Sequence, residues 1–481
     1  MNYKNYNDYE LISMVRENDE FSYYSLFEKY KPIVKNISKE FYDRYSDYGY
    51  DYDDFIQEGY VGFQNALNKY DSSKGALFYT FVELCIRRRL LSFTKNISLP
   101  KRNISNKYFI SLDDLDVRDN SVSLNDELDY EDTMNIIKDV LLTADLYGIE
   151  SHGMQRMVRY DKGIEKGTIH PDAKPEVVFE TPVSAVIDGH DGMGQLISHF
   201  AMEKAIEKAK KTGVGFVSVR NSNHFGIAGY YAEMASKQGL LGMACTNSEA
   251  IMVPTFGRKA MLGSNPIAVA MPAEPYPFLF DCSTTVVTRG KLEMYNKMGK
   301  PLPQGWALGA NGQESTDAPD VLANIVAKRG GGIMPLGGNK EVNGSHKGYG
   351  YGMLCEIFSS IFSMGVTSDK CCTFKDKTGI CHGFAAIDPA IFGNADDIRA
   401  HFSEYLETLR QSPKAEGAEQ IYTHGEKEVF AEKERRENGI PVNDNTMVEL
   451  ADLCSYLKLD FGSYFEGYEL PKDSKFFNGN Y

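Results

Sequence analysis

An all-α helical bundle joined to an α/β fold without a Rossmann domain is what this sequence predicts, on three observations. Composition breaks near residue 130: the stretch before it is rich in Tyr, Asn and Asp and nearly free of glycine, and the stretch after it is glycine-rich. Apolar residues recur at helical spacing in the front part, whereas the rear alternates apolar strand-like runs with helical stretches. The best glycine cluster, Gly189-His190-Asp191-Gly192-Met193-Gly194-Gln195, runs GxxGxG and lacks the GxGxxG order of a dinucleotide-binding turn directly after a buried strand.

Helices are expected over residues 9–18, 20–30, 32–42, 52–68 and 76–95 of the front part, residues 1–110. Residues 87–107 then carry Arg87, Arg88, Arg89, Lys95, Lys101, Arg102 and Lys107 with no acidic residue, a local footprint for phosphates. Phe78, Tyr79, Phe81 and Phe93 interleave with them, and aromatic rings stack on unpaired bases. An amphipathic bundle with core aromatics and a solvated basic edge explains the same pattern. Residues 111–130 are acidic and read as a solvated linker to the rear part, residues 131–481. The glycines Gly330-Gly331-Gly332 and Gly337-Gly338 mark loops.

With 481 residues the chain is long enough for more than one core. Its 25% charged and 42% hydrophobic residues are globular proportions, and a net charge of −15 argues against generic nucleic-acid binding by the whole chain. The eight cysteines show no CxxC spacing and the histidines no HxxxH or HExxH spacing, so reduced cytoplasmic thiols and no metal are expected. Neither an apolar leader nor an apolar run of ~18 residues is found, so no signal peptide and no membrane span are expected.

Two segments carry chemistry. Arg220-Asn221-Ser222-Asn223-His224-Phe225-Gly226 follows the strand-like run Val214 to Val219, placing an imidazole where a general acid/base is useful. The other is Ala144-Asp145-Leu146-Tyr147-Gly148-Ile149-Glu150-Ser151-His152-Gly153-Met154-Gln155-Arg156, continuing to Tyr160; it groups a hydroxyl, an imidazole, a guanidinium and a phenol. A helix from Gln155 would put Arg156 and Tyr160 on one face, and arginine clamps a carboxylate bidentately. Taken singly, each segment also reads as ordinary structure: a turn histidine with local hydrogen bonds, and a polar helix start capped by Ser151.

Together with Asp188 to Gln195, Thr246-Asn247-Ser248, Leu262 to Ala268, Phe280-Asp281-Cys282-Ser283-Thr284-Thr285, Gly305-Trp306-Ala307, His346-Lys347-Gly348-Tyr349-Gly350 and Tyr422-Thr423-His424-Gly425-Glu426, these segments resemble the malate/L-lactate dehydrogenase family. That family includes ureidoglycolate and sulfolactate dehydrogenases and has an α/β fold of its own rather than a Rossmann domain. The resemblance implies an NAD- or NADP-dependent oxidoreductase of small 2-hydroxy acids or their 2-oxo products, assembled as a homodimer. It implies His152 and His224 as the acid/base candidates, members differing over which is credited; His224 is preferred as proton acceptor with His152 on the same oxygen and Ser151 orienting His152, Arg156 on the substrate carboxylate and Tyr160 in the substrate wall. Cofactor contacts are implied at Ser248, Asp281, Cys282, Ser283, Lys347, Gly348, Gly425, Glu426 and Lys427.

In the front part, Asp53 to Ala66 with Lys69-Tyr70-Asp71 resembles the polymerase-binding helices of bacterial RNA polymerase sigma factors, and Phe78 to Val82 with Ile86 to Arg89 resembles the helix that melts and reads promoter DNA. The resemblance implies RNA polymerase and promoter DNA as partners, with Tyr79, Phe81, Arg87, Arg88 and Arg89 on the DNA. No helix-turn-helix pattern follows residue 100, and sigma-like sequence stands where the dehydrogenases usually have a further helical segment. Both parts therefore look cut at their junction, as a gene fusion or assembly error would leave them. The alternative function is a transcription-initiation module whose oxidoreductase part is inactive through truncation.

Overall fold

The computed structural model describes residues 8–16, 20–45, 52–70, 78–97, 124–465 and 467–468. The chain divides into two compact units, Met1–Ser105 and Asn106–Tyr481. Most of the acidic linker lies outside the described residues, and its last part, from Leu124, is helical. Among the described residues, no helix is long and apolar enough to cross a membrane.

The first unit contains the helices α1 (Asp8–Arg16), α2 (Glu20–Tyr45), α3 (Tyr52–Lys69) and α4 (Phe78–Ile97). Two of the expected helices, 20–30 and 32–42, are one: α2 runs through Pro32 without a break. The reason lies in the buried stripe Leu26, Tyr30, Val34, Ile37 and Phe41, whose spacing continues across the proline, so packing outweighs the hydrogen bond lost there. On α4 the buried positions Phe78, Val82, Ile86 and Leu90 recur every four residues. Gly62 lets α3 approach α4, since a Cβ there would come 2.7 Å from the Ile86 Cα.

The rings offered above to unpaired bases mostly pack inward: Phe78 is buried, Phe93 meets Phe55 edge-on at 5.1 Å, and Phe81 lies 5.7 Å from Tyr70. Tyr79 is 52% exposed. Arg87 pairs with Glu83 and Arg89 with Glu58, and Arg88 is exposed.

The second unit starts with α5 (Leu124–Leu146), α6 (Met157–Glu165), β1 (Glu176–Glu180), β2 (Ser184–Asp188), α7 (Gly194–Thr212), β3 (Val214–Ser222) and α8 (Ala228–Ser236). It continues with β4 (Leu241–Thr246), β5 (Ile267–Met271), β6 (Phe278–Cys282), α9 (Arg289–Lys297), β7 (Ala307–Leu308), α10 (Ala318–Val326), β8 (Gly332–Ile333) and α11 (Ser345–Glu356). Then come β9 (Ile380–Ile387), α12 (Ala395–Arg410), α13 (Glu426–Asn438), α14 (Asp444–Tyr456) and α15 (Phe461–Tyr464).

Among the described residues the main sheet is seven-stranded, in the order β1-β2-β3-β9-β4-β5-β6. Only β2 and β3 run parallel; the other five pairings are antiparallel. A Rossmann sheet is mostly parallel, so the fold class expected from the glycine order agrees with the topology. The alternating apolar residues of these strands meet Ile197, Ala201, Met202 and Ala205 of α7 and Tyr231, Ala232 and Ala235 of α8 in one core. Part of the opposite face is an open apolar groove of ≈ 650 Å³ whose lining includes Phe179, Phe216, Phe358, Phe362 and Met364. The small β7–β8 pair, α9 and α10 enclose a separate core of Leu292, Leu302, Val321 and Ile333.

Candidate active site

α5 ends at Leu146, leaving carbonyls that need partners. Arg435 on α13 donates to the Asp145 carbonyl and pairs with Glu150 at 2.8 Å. The Asp145 carboxyl is buried and accepts the Met154 N–H at 2.8 Å, and burial pushes it up to about 7. Gly153 presses on it so closely that a Cβ would come 1.9 Å from Oδ1. The short turn Glu150–His152 is thus anchored on both sides. Ser151 Oγ lies 2.8 Å from His152 Nδ1, and Arg156 Nε donates to the Ser151 carbonyl at 2.5 Å.

β3 delivers the second histidine. Asn221 takes a positive φ of 49°, and Arg220 and Asn221 donate to Asp188 at 2.9 and 3.0 Å, which turns the chain out of the sheet. Buried Asn223 donates to the carbonyls of Asp191 and Gly192 at 2.9 and 3.0 Å. His382 on β9 bridges Thr246 Oγ1 and Ser222 Oγ at 2.8 and 2.9 Å, and Phe225 stacks on its ring at 4.4 Å. Burial pushes His382 down to about 3, so it serves here as a neutral strut joining β3, β4 and β9.

Held this way, the rings of His152 and His224 stack with centroids 5.4 Å apart and planes 28° from parallel. Tyr160 on α6 closes the group, its Oη lying 2.7 Å from His224 Nδ1 although 64 positions separate the two residues. Each imidazole therefore has Nδ1 engaged by a hydroxyl. Among the described residues, Nε2 of each has no hydrogen-bond partner. Burial, followed by Arg156 and Arg159, pushes His152 down to about 4. Burial, followed by His152 and the same two arginines, holds His224 well below the ordinary histidine range. Burial raises the Tyr160 phenol, keeping it a neutral hydrogen-bonding group.

The residues expected at a cofactor follow the end of β6 and its neighbours. Asp281 Oδ2 accepts the Gly229 N–H at 2.7 Å, tying β6 to the first turn of α8, close in sequence to His224. Burial pushes Asp281 up to about 6, and burial followed by Asp281 pushes Cys282 up to about 11. Ser283 Oγ donates to the Thr285 carbonyl at 3.3 Å. A run of contacts links Gly348 to Ser248: Gly348 abuts the Leu336 backbone, Leu336 N–H donates to Thr284, Thr284 N–H donates to Ser264, and the Ser264 and Ser248 hydroxyls are 3.5 Å apart.

Lys347 stands exposed in the first turn of α11, a helix that opens on Gly344 without a side-chain cap. The Ser345 and Lys347 N–H groups already bond the Lys340 and Gly344 carbonyls, so the positive end of the helix and the exposed lysine, rather than free amides, are what suits a pyrophosphate, and on that basis the residues fit a nicotinamide dinucleotide. Gly425 also joins β6, because the preceding His424 carbonyl accepts the Leu279 N–H at 3.1 Å. Two residues there are engaged internally: Glu426 accepts the Thr423 N–H at 2.9 Å, and Lys427 sits 4.9 Å from the Tyr422 ring. Asp145, Asn223, His382 and Arg159 escaped the sequence reading. Asp145 and Arg159 lay inside the motif already singled out, whereas the partners of Asn223 and His382 are distant in sequence.

Residues 128–451 match the family profile described as malate/L-lactate dehydrogenase, and residues 26–96 match sigma-70 region 2. The chain is 41% identical to malate dehydrogenase of Pyrococcus abyssi over 325 residues, 67% of this chain and 88% of that protein. It is 37% identical to L-sulfolactate dehydrogenase of Methanocaldococcus jannaschii over 339 residues, 70% of this chain and 94% of that protein. The crystal structure of malate dehydrogenase from Entamoeba histolytica superposes with a TM-score of 0.66 at 37% identity, covering 69% of this chain and 92% of that one.

Proposed function

The chain belongs to the malate/L-lactate dehydrogenase family, and from that premise we propose that its second unit is a nicotinamide-dependent dehydrogenase of small 2-hydroxy acids. The observation that carries this reading is the pair of stacked, neutral imidazoles with unengaged Nε2 atoms beside Arg156. NAD or NADP, when bound, supplies the acceptor for the hydride leaving the hydroxyl-bearing carbon. Lys347 at the N-terminus of α11 would hold its phosphates, and Ser248, Asp281, Cys282, Ser283, Gly348, Gly425, Glu426 and Lys427 would shape the remainder of its bed.

Arg156 clamps the substrate carboxylate, its Nε anchored on the Ser151 carbonyl so that its terminal nitrogens face one direction. In the tautomer that carries its hydrogen on Nδ1, where the Tyr160 oxygen 2.7 Å away fixes the ring, His224 accepts the hydroxyl proton at Nε2. Burial and the two arginines keep this histidine unprotonated and ready to take that proton. His152, oriented by Ser151, hydrogen-bonds the same substrate oxygen. The opposite direction reverses these proton movements. His224→Asn is expected to lower kcat by about 10³-fold while leaving cofactor affinity within a few-fold, read from reduced-nicotinamide absorbance and cofactor titration. Unchanged turnover in that variant overturns the assignment.

A second copy of the chain on the open apolar face accounts for Phe179, Phe362 and Met364, which are 59%, 56% and 84% exposed there. For the first unit, the sigma-70 region 2 match supports RNA polymerase and promoter DNA as partners. Tyr79 and Arg88 are the DNA-facing candidates that remain exposed on α4.

A further inference from the structure

Arg156 and Arg159 stand three positions apart at the start of α6, beside the two histidines. Among the described residues neither makes an ion pair, and Arg159 makes no hydrogen bond. The carboxylates around them are committed or held off. Glu150 pairs with Arg435 at 2.8 Å, Glu293 and Glu249 pair with Arg289 at 2.9 and 3.4 Å, and Glu449 on α14 makes no ion pair with either arginine. The buried Asp145 carboxyl faces the Met154 amide and Gly153.

Two like charges at i,i+3 repel, and burial of Arg156 makes that arrangement more costly. Arg159 depresses Arg156, His152 and His224, so its charge is felt within the site even though the residue is exposed. Since both histidines are neutral, the pocket carries two positive charges that no ion pair among the described residues answers, with Glu293 and Glu449 acting on Arg156 only from beyond ion-pair distance. One carboxylate balances only one of them.

We propose that Arg159 holds a second anionic group of the substrate, so that the site selects dianionic 2-hydroxy acids, bearing a distal carboxylate or sulfonate, over monoanionic ones. Arg156, deeper and anchored on Ser151, takes the carboxylate next to the reacting carbon. Arg159, on the open side of the same helix, takes the distal group. This assignment rests on the dehydrogenase reading above and extends it to substrate choice.

The test compares the full-length wild type with Arg159→Gln, Arg159→Lys and Arg156→Gln, using L-malate as the dianionic probe and L-lactate as the monoanionic one. Arg159→Gln is expected to lower kcat/KM for malate by about 50-fold with lactate changed less than about 3-fold, the loss of one charge-assisted hydrogen-bond pair. Arg159→Lys should recover part of the malate rate, and Arg156→Gln should depress both substrates. A malate-to-lactate ratio unmoved by Arg159→Gln overturns the proposal, as does a loss expressed only in cofactor KM.

Thermal unfolding with each acid gives a readout independent of turnover. If the wild type oxidises neither acid, the dehydrogenase reading fails. The Arg159 assignment then stands only if malate stabilises the wild type more than lactate does and Arg159→Gln abolishes that difference.

Discussion

His152 and His224 hold protons weakly because burial strips away water that would solvate an imidazolium, and because Arg156 and Arg159 repel it. For a base that must start unprotonated, this extends the working range toward acid. The kcat/KM for hydroxy-acid oxidation is therefore expected to stay flat as pH falls through 6.5, with its acid limb well below the ordinary histidine value. A substrate carboxylate on Arg156 offsets one repelling charge, so the acid limb of kcat should lie at higher pH than that of kcat/KM. Arg156→Gln, which removes the charge outright, should raise the free-enzyme limb. A wild-type kcat/KM limb at or above 6.5 would contradict this account. At this scale the sequence showed residue types and their clustering in two motifs. Depressed basicity was not legible, since it arises from surroundings contributed by α6, β3 and β9 together.

At the scale of elements, the turn that carries His152 is set by what lies beneath it. Met154 N–H reaches the buried Asp145 carboxyl, and Gly153 leaves no room for a methyl group. Gly153→Ala should displace the Ser151–His152 turn and lower kcat by about 100-fold, the cost of misplacing a reacting group by ~1 Å. Steady-state kinetics with circular dichroism checks this, and wild-type kcat in a folded variant would show that the turn absorbs the methyl elsewhere. Helices of the first unit were readable from their stripes, because every turn repeats the apolar residue that packs. The exception was α2, where Pro32 signalled a stop that the continuous stripe from Leu26 to Phe41 overrode. Likewise Phe78, Phe81 and Phe93 looked available to nucleic-acid bases until α2, α3 and their own neighbours covered them.

For the whole molecule, the two units keep separate hydrophobic cores, one of stacked helices and one of helices on a mostly antiparallel sheet. The open face near Met364 gives a prediction at this scale. Met364→Glu puts a charge on the apolar groove and should shift the protein toward monomer in light scattering at micromolar concentration, with the fold retained. A wild type that is already monomeric would remove the second copy from that face.

By itself the sequence determined that two unlike parts share one chain, that the rear part lacks a Rossmann fingerprint, and which motifs supply imidazole, guanidinium and hydroxyl groups. Composition, periodicity and glycine order are local properties, so one chain suffices to read them. Only the tertiary structure decided that two imidazoles stack at 5.4 Å, that Tyr160 reaches His224, and that Arg156 and Arg159 make no ion pair with a carboxylate among the described residues. Those facts depend on which segments the sheet and helices bring together and on how much water they exclude. Neither contact nor desolvation is encoded in residues adjacent along the chain.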